Sequence, residues 1–289
     1  MSSSEAEQER SRRQTAKLDG QIERAARLLH RSRYAIALTG AGLSKESGIP
    51  TFRGEGGLWT RHGEPPMNGF QLFMGDPEGW WRRRLAEQSG PSNELAAAIV
   101  GAKPNPGHEA LASLERLGYL RTTITQNVDN LHRAAGSERL LEIHGNRTLM
   151  RCLNCEVRFP VENVPIDELP PRCDRCGGII KSDTVMFGEP IPRRVLEDCF
   201  ESATHADCIV VAGTSALVTL TPAADLPVMV WRNGGALIEV NVDETPLTRF
   251  CGATLRGPSG QLLPRVLEAV EARERTDPDE RGAGLRERS

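Results

Sequence analysis

Four of the seven cysteines stand in two tight pairs, Cys152/Cys155 and Cys173/Cys176, with 17 residues between the pairs. Two residues between cysteines let both sulfurs of one turn face the same ion. Four thiolates then fill a tetrahedral shell and leave no position for water. The pattern predicts one structural Zn2+, worth about 10 kcal/mol or more of local folding free energy. Cys199, Cys208 and Cys251 are scattered, and an odd total argues against a disulfide framework. A second candidate is the glycine turn TGAG (39–42), which ends an apolar run. Gly40 and Gly42 permit a tight turn and a close backbone approach to a pyrophosphate. The third glycine of a dinucleotide fingerprint would fall at Lys45, and no Gly-Lys-Ser/Thr follows, so the fingerprint is partial. A ligand-free strand-to-helix turn fits those few residues equally well. Among six histidines, His144 lies in Ile-His-Gly just before the cysteine segment. An unperturbed imidazole pKa of about 6.5 suits proton transfer near neutrality.

The elements that must hold these groups alternate. Leu18, Ile22, Ala25, Ala26 and Leu29 repeat at helical spacing, and 34–40 reads as a buried strand entering a turn. Helices are predicted around 77–88, 92–100, 107–117 and 192–204, and strands at 121–127, 207–215 and 235–241. Strands alternating with helices imply a Rossmann-like, doubly wound parallel sheet. The segment 145–188, rich in Cys and Pro, breaks the rhythm and reads as a zinc module. Residues 53–105 form a helical module, leaving 18–52, 106–144 and 189–271 for the sheet domain. Residues 1–17 and 272–289 are polar and charged and are expected to be disordered.

A net charge of −3 offers no basic field for nucleic acid. No run approaches 18 apolar residues, and residues 1–20 have no apolar signal core, so a cytoplasmic protein away from membranes is expected.

The longer string GAGLSKESGIPTFR (40–53) resembles the signature GAGxSxxSGIPxFR of the sirtuin family. It agrees at Gly40, Ala41, Gly42, Ser44, Ser47, Gly48, Ile49, Pro50, Phe52 and Arg53. TQNVDNLH (125–132), EIHG (142–145), the two cysteine pairs, VMFGE (185–189), GTS (213–215) and VNVDETP (240–246) follow in the family's order. The likeness spans about 20 to 268.

The resemblance implies NAD as co-substrate and acylated lysines of proteins as substrates. The segment 40–53 would wrap the diphosphate and nicotinamide ribose, with Phe52 and Arg53 on a loop closing over the nicotinamide. Gln126, Asn127, Val128 and Asp129 would hold the nicotinamide ribose and carboxamide pocket, and His144 would be the general base. Gly213, Thr214 and Ser215 follow a buried strand, where a ligand crevice belongs. Asn241, Val242 and Asp243 would meet the adenosine ribose, and Ser259 would lie near the adenine. Val185, Phe187, Gly188 and Glu189 would form a strand pairing with the substrate backbone, with Val185 near the acyl-lysine nitrogen. The products would be free lysine, nicotinamide and O-acyl-ADP-ribose. A mono-ADP-ribosyltransferase or NADase using the same pocket, and a non-catalytic NAD sensor, are the alternatives.

Three departures from the family pattern touch the substrate side. Ser182-Asp183-Thr184-Val185 replaces Pro-Asp-Val-Val. ALVTLT (216–221) lengthens the path from GTS to Pro222-Ala223. The Tyr-x-x-Arg of acidic-acyl members falls at Arg84 and Glu87, or, slipped by three, at Trp81 and Arg84. The first register predicts neutral acyl groups.

Overall fold

The computed structural model describes residues 3–54, 56–86, 90–164, 166–215 and 222–285. Helix α1 (Ser3–Arg31) comes first and buries Ile22, Ala25, Ala26 and Leu29 along one face of its second half. Strand β1 (Ala35–Thr39) is buried along its whole length, as a strand covered on both faces must be. A short helix α2 (Ala41–Ser44) leads into the helical segment, which contains α3 (Leu58–His62), α4 (Gly69–Gly75), α5 (Pro77–Ala86) and α6 (Pro91–Gly101). Then come α7 (Pro106–Arg116), β2 (Thr122–Thr125), α8 (Leu131–Ala134) and β3 (Leu140–Glu142). Three short strands follow, β4 (Leu149–Cys152), β5 (Arg158–Pro160) and β6 (Ile180–Ser182). The alternation resumes with α9 (Arg193–His205), β7 (Cys208–Ala212), α10 (Asp225–Arg232), β8 (Ala236–Asn241), β9 (Ala253–Arg256) and α11 (Ser259–Thr276).

The six long-sheet strands run parallel in the order β3-β2-β1-β7-β8-β9. The order reverses between β1 and β7, which lie side by side with Thr39 opposite Ala212. That reversal opens a crevice at the strands' C-terminal ends, where open α/β sheets bind ligands. One face of the sheet is covered by α1, α7 and α11, through Leu29, Leu111, Leu114 and Val266. The other is covered by α9 and α10, through Cys199, Ala203, Leu226 and Val230. The second sheet, β5-β4-β6, is antiparallel, and among the described residues its buried core is Cys152, Val164, Cys173 and Ile180. So small a core does not hold a fold without a staple.

The two termini depart from the disorder expected of them. Residues 3–17 continue α1. Glu, Gln, Arg, Ala and Lys are good helix formers, Glu9 pairs with Arg13 one turn on, and a helix propagates cheaply from a packed end. Scarce apolar residues argue against burial, not against helix. At the other end, α11 runs to Thr276 and the chain then docks. The N–H groups of Gly282 and Gly284 donate to the carbonyls of His30 and Arg31. The Arg281 guanidinium lies 4.5 Å from the centre of the Tyr119 ring and donates to the Leu117 carbonyl at 2.6 Å. Residues 286–289 lie outside the described residues.

Candidate active site

The glycine turn after β1 packs directly on the loop after β7. Gly42 N–H donates to the Gly213 carbonyl at 2.8 Å, and Gly40 N–H to Ala212. A Cβ on Gly42 would stand 2.8 Å from the Gly213 Cα. One on Gly213, whose φ is +62°, would stand 2.2 Å from the Leu43 nitrogen. The glycines therefore serve loop-on-loop contact at the topological switch, and not only the approach of a phosphate.

Above this turn lies a cleft of about 1960 Å³, roughly twice the upper end of ordinary small-molecule pockets. Gly40, Ala41, Gly42, Phe52 and Arg53 line it from the first loop, and Gln126, Asn127, Val128 and His144 from the loops after β2 and β3. Gly213, Thr214, Ser215, Asn241, Val242, Asp243 and Ser259 complete the sheet side, and Val185, Phe187, Gly188 and Glu189 the opposite wall. Gln126 Nε2 donates to Thr214 Oγ1 at 3.1 Å, and Asn241 Nδ2 to the Thr214 carbonyl at 2.8 Å. The loops after three strands are thus tied together.

Ser44 and Asp129 stand behind the wall, both buried. Ser44 Oγ donates to Asp129 Oδ2 at 2.7 Å and accepts from Asn127 Nδ2 at 3.0 Å. Asn127 Nδ2 also reaches the Gly40 carbonyl at 3.1 Å. Burial raises the Asp129 carboxyl above the usual carboxylate range, opposed by the Leu131 N–H and the Ser44 hydroxyl. Ser47, Gly48, Ile49 and Pro50 do not reach the cleft wall. Gly48 (φ +84°) ends a 3-10 turn over 45–47, Ile49 enters the core, and Ser47 Oγ accepts from Asn105 Nδ2.

His108, which sequence context left without a role, is part of this layer. Its Nδ1 accepts the Asn105 N–H at 3.3 Å as half of a capping box, so the proton sits on Nε2, 3.4 Å from Ser44 Oγ. The signal was Asn-Pro-x-His at a helix start. The His132 ring centre is 5.0 Å away, and its Nε2 is bonded to Thr39 Oγ1 at 2.9 Å. Burial holds His108 down to about 4 and His132 to about 3. Both pKa values lie below the unfolded value, so the unfolded chain binds protons the folded one refuses. Stability is therefore complete above about pH 6.5 and declines as pH falls toward the folded values. Each histidine should cost about 2 kcal/mol between pH 6.5 and 5. Urea unfolding at the two pH values should show that loss, reduced by about half in His108→Gln. An equal pH slope in wild type and variant would refute it.

His144 is half-buried. Its Nδ1–H donates to the Gln126 carbonyl at 3.1 Å, which leaves the Nε2 lone pair on the cleft side. Burial lowers its pKa, partly opposed by that hydrogen bond.

Across the cleft, Phe52, Trp59 and Phe187 form an aromatic run with ring centres 5.0 and 5.5 Å apart, and Arg53 stacks 4.6 Å above Trp59. Trp59 was not predicted. VMFGE is a turn and not a strand. Glu189 Oε2 accepts the Met186 N–H at 2.8 Å, Gly188 has φ +79°, and Phe70 N–H takes the Phe187 carbonyl at 2.9 Å. The Glu189 carboxylate faces inward, onto Arg151 at 2.6 Å and Lys181 at 3.0 Å. Lys181 is wholly buried, and burial pushes its pKa down to about 8. Removing one partner of such a pair leaves an unpaired buried charge and costs about 3–5 kcal/mol. Of the two acyl registers, Trp81 drops out: it is buried and donates to the Ile180 carbonyl, pinning α5 to the small sheet. Trp80 and Arg84 line the cleft instead. Glu87 and residues 216–221 lie outside the described residues.

The four cysteine sulfurs lie within 4.8 Å of one another. Cys152 and Cys176 are 3.5 Å apart, Cys155 and Cys173 3.8 Å. These spacings are too long for disulfides and suit a tetrahedron with Zn–S of about 2.3 Å, whose edges are about 3.8 Å. Asn154 N–H points at Cys152 Sγ, and a Cβ on Gly178 would stand 2.8 Å from that sulfur. The donor set fits one structural Zn2+.

Residues 40–220 match the Sir2 family model. The chain is 43% identical over 248 residues to the NAD-dependent protein deacylase 1 of Archaeoglobus fulgidus, covering 86% of this chain and 97% of that one. It is 43% identical over 259 residues to the NAD-dependent protein deacylase of Thermococcus kodakarensis, covering 86% and 95%. Among solved structures, a Sir2 homologue–NAD complex superposes with a TM-score of 0.69 at 42% identity, over 86% of this chain and 93% of that one. A Sir2–p53 peptide–NAD+ complex gives 0.67 at 34%, over 85% and 96%. With its zinc knuckles, its switch-point cleft and this breadth of likeness, the chain belongs to the Sir2 family.

Proposed function

We propose that this protein is an NAD-dependent protein-lysine deacylase acting on acetyl-lysine, with His144 as general base. The observation that carries the reading is the His144 imidazole. It is held by the Gln126 carbonyl in the tautomer that leaves Nε2 free, on the wall of a cleft at the sheet's switch point. The relatives named as NAD-dependent protein deacylases support it.

The acyl oxygen attacks the anomeric carbon of the nicotinamide ribose, and nicotinamide leaves. His144 Nε2 then takes the proton of a ribose hydroxyl as that oxygen attacks the acyl carbon. Water completes the transfer to free lysine and O-acyl-ADP-ribose. Asn127, tied to Gly40 and Ser44, and Asp129, behind it, hold the ribose and carboxamide side of the pocket. Gly40–Gly42 and Gly213–Ser215 take the diphosphate; Asn241, Val242, Asp243 and Ser259 take the adenosine end. Ser47, Gly48, Ile49 and Pro50 act by shaping the first loop. Phe52 and Arg53 close over the nicotinamide, and Val185 to Gly188 receive the acyl-lysine, with Glu189 bracing that turn. The cleft excludes water while binding aligns the reactants. The structural Zn2+ is held by Cys152, Cys155, Cys173 and Cys176 and does no chemistry. Among the described residues, no helix is long and apolar enough to cross a membrane. The seven unpaired cysteines support a reducing, cytoplasmic location. Neither nucleic acid nor membrane enters the reading.

Mass spectrometry of the protein with NAD and an acetyl-lysine peptide tests the proposal. Deacetylated peptide, nicotinamide and O-acetyl-ADP-ribose are expected in equal amounts. NAD consumed while the peptide keeps its acetyl group would favour the transferase or NADase reading, and NAD bound without turnover a sensor.

A further inference from the structure

Asp183 is buried, and its oxygens gather bonds from two parts of the fold. Oδ2 accepts the backbone N–H of Asn146, two residues after His144, at 2.8 Å. Oδ1 accepts Nε of Arg151 and Nε of Arg158, each at 3.1 Å, and Arg158 Nη2 adds 3.1 Å to Oδ2. The remaining arm of Arg158, Nη1, reaches Glu142 Oε2 at 3.1 Å, two residues before His144. One guanidinium thus brackets His144, touching Glu142 directly and Asn146 through Asp183. Asp183 also begins the turn whose Val185 N–H donates to the His144 carbonyl at 2.9 Å. Arg158 itself sits on β5 of the zinc-bearing sheet, three residues past Cys155, and no step of the proposed reaction uses it.

We infer that Arg158 is a positioning residue whose fork sets His144 against the acyl-lysine turn 183–189 and carries the order of the zinc-bearing sheet to the base. This rests on His144 being the general base. Holding the small sheet to the turn does not require Arg158, because Arg151 already pairs with Asp183 and Glu189 and is far more buried, 4% exposed against 30%. Arg133 also pairs with Glu142 but does not reach Asp183. Among the described residues only Arg158 spans both carboxylates, and it does so as a planar fork. A lysine, with a single point charge, cannot reproduce that span.

The test uses the full chain, NAD and an acetyl-lysine peptide in single turnover, with Arg158→Met, Arg158→Lys and Glu142→Gln, after zinc content is measured. Nicotinamide release precedes the step that uses His144, and O-acetyl-ADP-ribose formation follows it. Both Arg158 variants should keep zinc and release nicotinamide at the wild-type rate. Acetyl transfer should slow about 100-fold, the scale of a misplacement of about 1 Å. Glu142→Gln also weakens the bonds of that carboxylate to Arg133 and to Asn146 Nδ2 at 2.6 Å, so it should slow transfer at least as much as Arg158→Met. Full-rate transfer in Arg158→Met overturns the inference, as does recovery in Arg158→Lys, which would make charge alone sufficient. Equal slowing of both stages overturns it too, as a general structural defect. If Arg158→Met loses zinc, Arg158→Lys decides: transfer slowed with release kept supports the fork, and full-rate transfer removes it. If the wild-type protein transfers no acetyl group, the deacylase reading has failed separately. The bridge is then read from the 15N shifts of His144, where loss of the Nδ1–H tautomer in Arg158→Met supports it and unchanged shifts overturn it.

Discussion

His144→Ala should lower the rate of acetyl transfer by at least the ~10²–10⁴-fold that follows loss of a general base, while NAD still binds. Among the described residues the imidazole bonds only through Nδ1–H, to the Gln126 carbonyl. Its removal therefore takes away the proton acceptor and leaves the bonds among Asn127, Ser44, Asp129 and Gly40 intact. The pH profile of the wild-type protein provides a second reading of the same residue. Burial depresses the His144 pKa below 6.5, so the neutral, basic form persists to lower pH than in a free imidazole. Activity should therefore begin to fall at a lower pH than a free imidazole would allow. Calorimetry for NAD and product analysis over pH 5–8 check both. A variant retaining more than about a tenth of the wild-type rate would remove His144 from the mechanism.

The second large effect is the loss of the metal. The purified protein should carry one zinc ion per chain, and a strong chelator or Cys173→Ser should remove it. Among the described residues the module built on β4, β5 and β6 has four core residues, two of them Cys152 and Cys173. Metal binding worth about 10 kcal/mol or more cannot be replaced by so little apolar contact. Hydrogen exchange should rise steeply across 149–182 while the amides of 208–212, central in the parallel sheet, stay protected. Peptide turnover should vanish with the module, because Arg151 and Lys181 hold the turn 183–189. Full protection and activity in zinc-free protein would show the knuckles to be self-supporting.

Much of this was legible in the chain. Buried parallel strands read as continuous apolar runs, so 35–39, 208–212 and 236–241 declared themselves. The cysteine spacing declared the zinc site, because two thiolates in one turn is a local geometric requirement. Loops after adjacent parallel strands must meet at the switch point, so parts of the ordered motifs, Gly40, Gln126, His144 and Asn241 among them, share one cleft, while Ser47 to Pro50 stand outside it. Less visible were β3 and β9, three and four residues long, which exist only because the sheet offers them a neighbour. The helix over residues 3–17 was not legible, because polarity reports exposure and not conformation.

Only the tertiary structure could decide what each motif residue touches. Gly40, Gly42 and Gly213 turn out to press on one another across 170 residues of sequence. Glu189 turns inward to a buried arginine and lysine, and Trp81 anchors one module to another. His108 joins the layer beneath the pocket. Local pattern determines which segment becomes a helix, a strand or a metal knuckle, because those choices are settled within a few residues by hydrogen bonding and periodic burial. Which buried charge meets which counter-charge depends on segments brought together from far along the chain, and that pairing is settled only when the core has closed.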